Sequence, residues 1–349
     1  MKGRRRMFER MAIVGCGAIG GTLGGYLTRA GHDVTFIDPW AAHVNAMAQD
    51  GLRVTAVDED FTVPVKAVHL GEAGGITRPF DLVFLAMKSY DTVWATHFIL
   101  PFLKPTGFIV SAQNAINDEL IAPIVGFTRD IGCVITLGAG MYEPGQVLRT
   151  SMPGRHALTV GELTGMATPR VTELAEMLGC VGPTKVTNNL WGERWAKLAT
   201  NCMANSLCAL TGLGSAGSRT TPVVVDVSVR IASEVVKAGA ALGVEVEPIN
   251  GIPADMYRRA DDGQVMEEIK DQLAEGAGQL GEGRPSMAQD VLKGRRTEIE
   301  YLNGYVTARG RQVGIAAPAN EAITGLVKQV ETGEIKPDAS NIRFLEAFV

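Results

Sequence analysis

Residues 11–20 read MAIVGCGAIG: a short apolar run that ends in Gly15, Gly17 and Gly20 and leads into helical spacing from Ala18 to Arg29. Gly31 stops that helix, and residues 33–38, DVTFID, read as a second strand rich in β-branched and aromatic side chains. The glycines fit G-x-G-x-x-G between a strand and a helix. Gly15 permits the tight turn, Gly17 lets the backbone approach a pyrophosphate, and Gly20 lets the helix pack closely on the strand. A pyrophosphate would lie against the free N–H groups of the helix N-terminus, where Ala18 and Ile19 stand. Such a hexamer also occurs as a purely structural turn. The acidic residue ending the next strand, Asp38, eighteen positions past Gly20, strengthens the nucleotide reading. A carboxylate there accepts hydrogen bonds from ribose hydroxyls and repels a 2′-phosphate, and Pro39, Trp40, Ala41 and Ala42 bring no cation beside it. NAD is therefore expected over NADP. A second role for Asp38, capping a helix that Pro39 would start, stays open at this point.

Outward from this turn, apolar runs at 81–86, 107–112 and 131–137 alternate with segments of helical length at 90–103 and 117–125. That alternation implies a mostly parallel, doubly wound α/β sheet of Rossmann type. Residues 52–66 and 148–162 read as extra strands or hairpins. From about 188 the pattern becomes helical, with long segments at 191–210, 223–242, 295–313 and 320–332 and no strong strand between them. Residues 244–285, richer in Gly, Asp, Glu and Pro, read as short helices and mobile loops. The expectation is a Rossmann domain over 11–187 and an all-α domain over 188–349, with the groove between them the default place for a substrate. At 349 residues and 46% hydrophobic composition, each half can bury a core.

A formal net charge of -5 and a pI near 5.7 give no long-range attraction for nucleic acid or an anionic membrane. No stretch of eighteen apolar residues occurs, so no membrane span is expected. The basic run at 2–6 reads as a disordered leader, with Met7 or Met11 as other possible starts. Five cysteines without a C-x-x-C pair suit buried thiols in a reduced cytoplasmic protein, and five scattered histidines make a metal site unexpected. Cys16, with no base or cation beside it, reads as inert.

Residues 191–210 read WGERWAKLATNCMANSLCAL. Lys197, Asn201 and Asn205 stand four apart and project from one helix face, drifting by about 40° per step, and Glu193 extends the stripe. A solvated face is one reading. Against it, asparagine is a poor helix former and the rest of the segment is small and apolar, which favours an enclosed stripe. An enclosed lysine with two amides suits holding and protonating a carbonyl oxygen. Residues 286–305, SMAQDVLKGRRTEIEYLNGY, place Ser286 and Asp290 four apart and Glu298 eight further on. These also read as a helix cap and solvent-facing charge, with Ser286 after Pro285 in an N-cap's place. Trp191 and Trp195 read as packing between helices. Asp226, Glu234 and Glu245 read as solvated helix charges.

With GCGAIG, these segments resemble the ketopantoate reductase family (2-dehydropantoate 2-reductases). The matching stretches are W-x-K-L-x-x-N-x-x-x-N at 195–205, SM-x-Q-D at 286–290 and R-x-T-E-I-x-Y-x-N-G at 295–304. Lys88, after DLVFLAM, and Asn114, after GFIVSAQ, occupy the family's lysine and asparagine positions. The resemblance runs from about 11 to 334. It implies NAD(P)H-dependent reduction of a 2-oxo acid to the 2-hydroxy acid, as in pantothenate biosynthesis, with Lys197 as general acid. It implies further that Glu298 lies near Lys197 and the cofactor ribose, that Asn114 contacts cofactor and substrate, and that Lys88 sits beside the cofactor. Ser286 would bind the substrate carboxylate, and Asn201 and Asn205 its distal hydroxyl. The helical domain would be of the 6-phosphogluconate-dehydrogenase-like type and support a homodimer. The chain departs from the family pattern at Ala115, where a glycine is common, and at Gly283, where many members have asparagine. The stretch 212–218 lacks a further asparagine, 257–284 is longer than in compact members, and Asp38 replaces the basic residue of NADP users. These departures point to a less polar or larger 2-oxo acid. Two other readings remain: a dehydrogenase oxidising a different secondary alcohol or 2-hydroxy acid on the same scaffold, and a non-catalytic NAD-sensing protein, which has no need of a general acid.

Overall fold

The computed structural model describes residues 7–277 and 283–348. The basic run at 2–6 and part of the 244–285 segment lie outside the described residues. The chain forms two compact units, Met1–Leu190 and Trp191–Val349.

In the first unit eight strands form one sheet, in the spatial order Thr184–Val186, Leu158–Glu162, Asp130–Ile135, Leu103–Ser111, Phe80–Leu85, Arg10–Val14, Asp33–Asp38 and Lys66–His69. All neighbours run parallel except Leu158–Glu162 against Asp130–Ile135. Both faces are covered, which is why the central strands read as unbroken apolar runs. Along Arg10–Val14, Met11 and Ile13 enter one core while Ala12 and Val14 enter the other. Leu82 and Phe84 alternate with Val83 and Leu85 in the same way. Helices Ala18–Arg29 and Pro169–Leu178 close the first core; Thr92–Ile99 and Asp118–Val125 close the second. Each such fully buried aliphatic or aromatic side chain contributes about 1.5–3 kcal/mol.

The segments read as extra strands divide between two sheets. Residues Leu52–Thr55 and Asp60–Val63 form an antiparallel hairpin, which pairs with Gln146–Arg149 and, through it, Ala139–Gly140 in a second, four-stranded sheet. Helix Ala18–Arg29 is pressed between the two sheets, and this explains its four paired glycines. A Cβ at Gly20 or Gly24 would meet Ile13 or Phe36 of the large sheet within 3.0 Å. One at Gly21 or Gly25 would meet Val147 or Val54 of the small sheet at 2.6 Å. Four interior glycines cost about 3–4 kcal/mol of helix propensity relative to alanine, which this close double packing offsets.

The second unit is helical, with Trp191–Thr211 of its first helix (Leu190–Thr211), Pro222–Ala241, Gly263–Ala277, Asn303–Gln312 and Pro318–Thr332 as its longer members. Short helices Ser215–Thr220, Ala254–Arg258 and Ser286–Leu292 lie between them. The expected single helix over 295–313 is shorter. The Thr297 N–H goes to the Glu331 carboxylate at 2.5 Å, a 3-10 turn covers Ile299–Tyr301, and the helix starts at Asn303. The side chain of Thr297 also accepts from Ile299 N, and such local bonds compete with helix.

Glu234 corrects the expectation of a solvated charge. It is buried and accepts from Ala319 N (2.9 Å), Asn320 N (2.9 Å) and Asn320 Nδ2 (2.7 Å), capping helix Pro318–Thr332 from another helix. Burial pushes its carboxyl above the usual range while these donors pull it down. Asn320 Oδ1 in turn accepts from Asn303 Nδ2 at 2.9 Å, and Asn303 Nδ2 also reaches the Cys202 carbonyl at 3.3 Å. Four helices are thus tied by one buried polar chain. Trp195 is buried, packed on Gly239 and Tyr305 as expected of an interhelical residue. Among the described residues no helix is long and apolar enough to cross a membrane. Glu234→Ala leaves three buried donors unmatched and is expected to cost about 3 kcal/mol or more in urea unfolding. A loss below about 1 kcal/mol would show that the cap is not structural.

Candidate active site

In the first unit the four central strands are parallel neighbours, so their C-terminal ends open on one edge, and the predicted residues follow those ends. Gly15 follows Val14, Asp38 ends its strand, Lys88 comes three residues after Leu85, and Asn114 three after Ser111. The chain leaves Arg10–Val14 toward Asp33–Asp38 on one side and returns to Phe80–Leu85 on the other, which makes this the topological switch point of the sheet.

The glycine turn has the local geometry that its sequence demands. Gly15 takes φ +86°, and a Cβ on it would lie 2.8 Å from Met87 N. At Gly20 a Cβ would fall 2.0 Å from the Gly15 carbonyl oxygen. Gly17 differs: nothing lies within 4 Å of its added Cβ. It is also the N-cap of helix Ala18–Arg29, which carries no side-chain cap. The helix start is thus uncapped by a side chain and the space over Gly17 is open among the described residues, the arrangement that binds an anion.

Asp38 holds this turn. Its Oδ2 accepts from Cys16 N at 2.7 Å and its Oδ1 from Trp40 N at 2.8 Å, in a buried position. The helix that follows is Ala41–Asp50 with Trp40 as its N-cap, so Asp38 does not cap a helix started by Pro39, and each of its carboxylate oxygens keeps lone-pair capacity for one more donor. The next peptide group, through the Cys16 carbonyl, is held by His43, which the sequence reading missed. His43 is fully buried; its Nδ1 accepts from Gly145 N at 2.8 Å, so Nε2 is the protonated nitrogen and donates to the Cys16 carbonyl at 2.9 Å. A carboxylate and an imidazole thus clamp both polar groups of residue 16. The only signal in the sequence was a lone histidine amid small and apolar residues five positions after Asp38. The Cys16 thiol is pushed well up by burial and then by the Asp38 charge, which agrees with its reading as inert.

Lys88 and Asn114 are half-buried and stand on loops locked by a second polar network. Gln113 Nε2 donates to the Met87 carbonyl (3.0 Å) and to Thr92 Oγ1 (2.8 Å). Thr92 Oγ1 donates to Asn117 Oδ1 (3.0 Å), and Asn117 Nδ2 donates to Ser89 Oγ (3.1 Å) and to the Asn114 carbonyl (2.6 Å). Ala115 takes φ +65°. That is the left-handed region where the family pattern has glycine, and an alanine there stores about 1–2 kcal/mol of backbone strain.

In the second unit Lys197, Asn201 and Asn205 line one face of helix Leu190–Thr211. Asn201 and Asn205 are 4% and 7% exposed, so the face is not a solvated one. Lys197 is half-buried, and no carboxylate or carbonyl among the described residues bonds its Nζ. Its pKa is lowered, and desolvation by burial is the cause. Glu298 is buried and starts the 3-10 turn Ile299–Tyr301; it forms no ion pair with Lys197. Ser286 is the first helical residue, after the N-cap Pro285, and it does not occupy the N-cap position. The segment carrying Glu298 is joined to the lysine helix by the Asn303–Cys202 bond. The far end of that helix is held by Asp338 N (3.1 Å) and Asn341 Nδ2 (3.1 Å) on the Leu210 carbonyl.

Comparison with known proteins agrees with both halves. Residues 11–165 match the family described as ketopantoate reductase PanE/ApbA, and residues 189–331 match its C-terminal domain. A 2-dehydropantoate 2-reductase from Pyrococcus horikoshii is 31% identical over 325 residues, 93% of this chain and 98% of that protein. The crystal structure of a 2-dehydropantoate 2-reductase from Geobacter metallireducens GS-15 is similar with a TM-score of 0.79 and 31% identity, covering 92% of this chain and 99% of that one. The ternary structure of D-mandelate dehydrogenase with NADH and anilino(oxo)acetate shares the fold, with a TM-score of 0.78 at 24% identity over 93% of this chain and 99% of that one. A glycine turn at a sheet switch point, a lysine–asparagine helix face and matches spanning both units lead to one conclusion: the chain belongs to the ketopantoate reductase family.

Proposed function

We propose that the protein reduces a 2-oxo acid to the 2-hydroxy acid with NADH, Lys197 being the proton donor. The observation that carries this reading is the desolvated Lys197 ammonium, which no carboxylate among the described residues pairs. A charge held that way is destabilised until a negative partner forms, and a carbonyl oxygen gains that charge as it is reduced. The interaction is stronger in the transition state than in the ground state, which is the condition for catalysis.

A dinucleotide suits the first unit: the space over Gly17, the uncapped helix start at Ala18 and Ile19, and the spare acceptor capacity of Asp38 are what pyrophosphate and ribose require. When bound, the reduced nicotinamide supplies the hydride. Asp38 favours NAD over NADP because a 2′-phosphate would meet a buried carboxylate. Lys88 and Asn114 are assigned to the cofactor, and Asn114 to the substrate as well. Ser286 donates its hydroxyl to the substrate carboxylate, Asn201 and Asn205 hold its polar tail, and Glu298 orients Lys197 during turnover. The boundaries proposed for the two domains are 11–187 and 188–349, with a second copy of the chain as partner of the helical one. A second reading is favoured by the lowered pKa of Lys197 itself: a neutral amine is more readily reached and would serve as base in oxidising a 2-hydroxy acid.

Lys197→Ala is expected to lower turnover by about 10²–10⁴ while NADH still binds. An unchanged rate would remove the lysine from the mechanism. Reduction needs the ammonium form, so its kcat/KM should be level at low pH and fall as pH rises through the Lys197 pKa. Because burial lowers that pKa, the fall should come below ~10.4, and oxidation should rise over the same range. A reductive profile that rises with pH would contradict the assignment. Gly17→Ala should leave thermal unfolding unchanged yet weaken NADH binding at least ~10-fold. Gly20→Ala should destabilise the fold by about 1–3 kcal/mol through the clash with Gly15. Equal effects from both would argue against a pyrophosphate over Gly17.

A further inference from the structure

Strand Gln146–Arg149 of the small sheet is entered through a tight turn. Gln146 N donates to the Glu143 carbonyl at 3.4 Å, and Pro144 and Gly145 hold the two central places. Gly145 takes φ +74°, as a type II turn requires. A Cβ on it would lie 3.0 Å from the Cβ of Ala46, so a side chain is disfavoured by backbone and by space together. A β-turn pairs its end groups and leaves the N–H of its third residue over. Here the Gly145 carbonyl accepts from Arg53 N of strand Leu52–Thr55 at 2.9 Å. The Gly145 N–H goes to His43 Nδ1 at 2.8 Å, 102 residues back along the chain.

With Nδ1 occupied as an acceptor, the imidazole donates through Nε2 to the Cys16 carbonyl at 2.9 Å. The ring is carried by helix Ala41–Asp50 and is fully buried, and Trp40 stacks on it with centroids 5.6 Å apart. Both ring nitrogens and one ring face are thus fixed by named contacts. A trans peptide is planar, with its carbonyl and the following N–H on opposite sides. Holding the Cys16 oxygen on His43 therefore turns the Gly17 N–H away from the imidazole. Among the described residues Gly17 N has no backbone acceptor. One chain of hydrogen bonds accordingly starts in the small sheet and ends at the peptide that leads into the glycine turn. We propose that His43 and Gly145 are positioning residues for the cofactor. Through them the small sheet sets the peptide between Cys16 and Gly17 in the orientation that receives the pyrophosphate. This rests on the reading of the glycine turn as the NADH site. Both residues act through residue 16 rather than by contact with the dinucleotide.

The test is calorimetric titration of the full chain and its variants with NADH, beside their melting temperatures. His43→Ala and Gly145→Ala should each weaken NADH about 10-fold. The amide nitrogen of glutamine reaches the place of imidazole Nε2, so His43→Gln should recover most of the affinity. Asparagine matches only Nδ1, so His43→Asn should bind as weakly as His43→Ala. Val54→Ala removes buried bulk from the same small sheet without breaking the chain of bonds. It should lower the melting temperature and keep the wild-type affinity. Unchanged affinity in His43→Ala, or an affinity that falls in step with melting temperature in every variant, Val54→Ala included, would overturn the proposal. Gly145→Ala and His43→Asn carry the comparison if His43→Ala does not fold. If the wild-type chain binds no NADH, the cofactor reading fails, and the chain of bonds is judged on amide hydrogen exchange at residues 15–18. Exchange there about 10-fold faster in His43→Ala than in Val54→Ala supports it; equal exchange overturns it.

Discussion

A desolvated ammonium that no carboxylate among the described residues pairs is the constraint around which the rest of this structure is arranged. Taking a charge out of water is costly, and most proteins neutralise it with a carboxylate. Here no carboxylate among the described residues pairs with Lys197, and the surrounding helices supply rigidity in place of a partner. Glu234 caps one helix, Asn320 and Asn303 pass the connection to the Cys202 carbonyl, and Asn341 holds the Leu210 carbonyl at the far end. The lysine helix is therefore anchored at its middle and its C-terminus by buried bonds that do not involve Lys197. A destabilised side chain persists where its scaffold is over-determined, and such positions cluster at functional sites.

The first unit shows the same division between scaffold and site. Residue 16 is clamped at its N–H by Asp38 and at its carbonyl by His43, so the glycine turn is preformed. The loops bearing Lys88 and Asn114 are bound to each other through Gln113, Thr92, Asn117 and Ser89. Preorganised groups of this kind stabilise charge without having to rearrange during reaction. The strain at Ala115 lies within that same locked loop, where the network can sustain it.

Much of the architecture could be read from the chain because its signals are local. The strand–turn–helix around Gly15, Asp38 at the next strand end, and the alternation of apolar runs with helical segments each need only a short window. The Lys197–Asn201–Asn205 face follows from helical periodicity alone. What escaped notice depends on distant residues. The four glycines of Ala18–Arg29 make sense only once Gln146–Arg149 has paired with Leu52–Thr55, across some ninety residues of chain. Glu234 looks like any surface charge until Pro318–Thr332 brings two N–H groups to it. The break at Thr297 comes from Glu331, and the role of His43 from Gly145. Ser286 sits where an N-cap would be expected, yet Pro285 takes that position.

The most direct measurement is a crystal structure of the protein with NADH and oxamate, an unreactive analogue of a 2-oxo acid. The expected result places Lys197 Nζ within ~3 Å of the oxamate amide oxygen, which stands for the carbonyl oxygen of a substrate. Oxamate bound with that oxygen facing another donor, and Lys197 Nζ turned to solvent, would contradict the account.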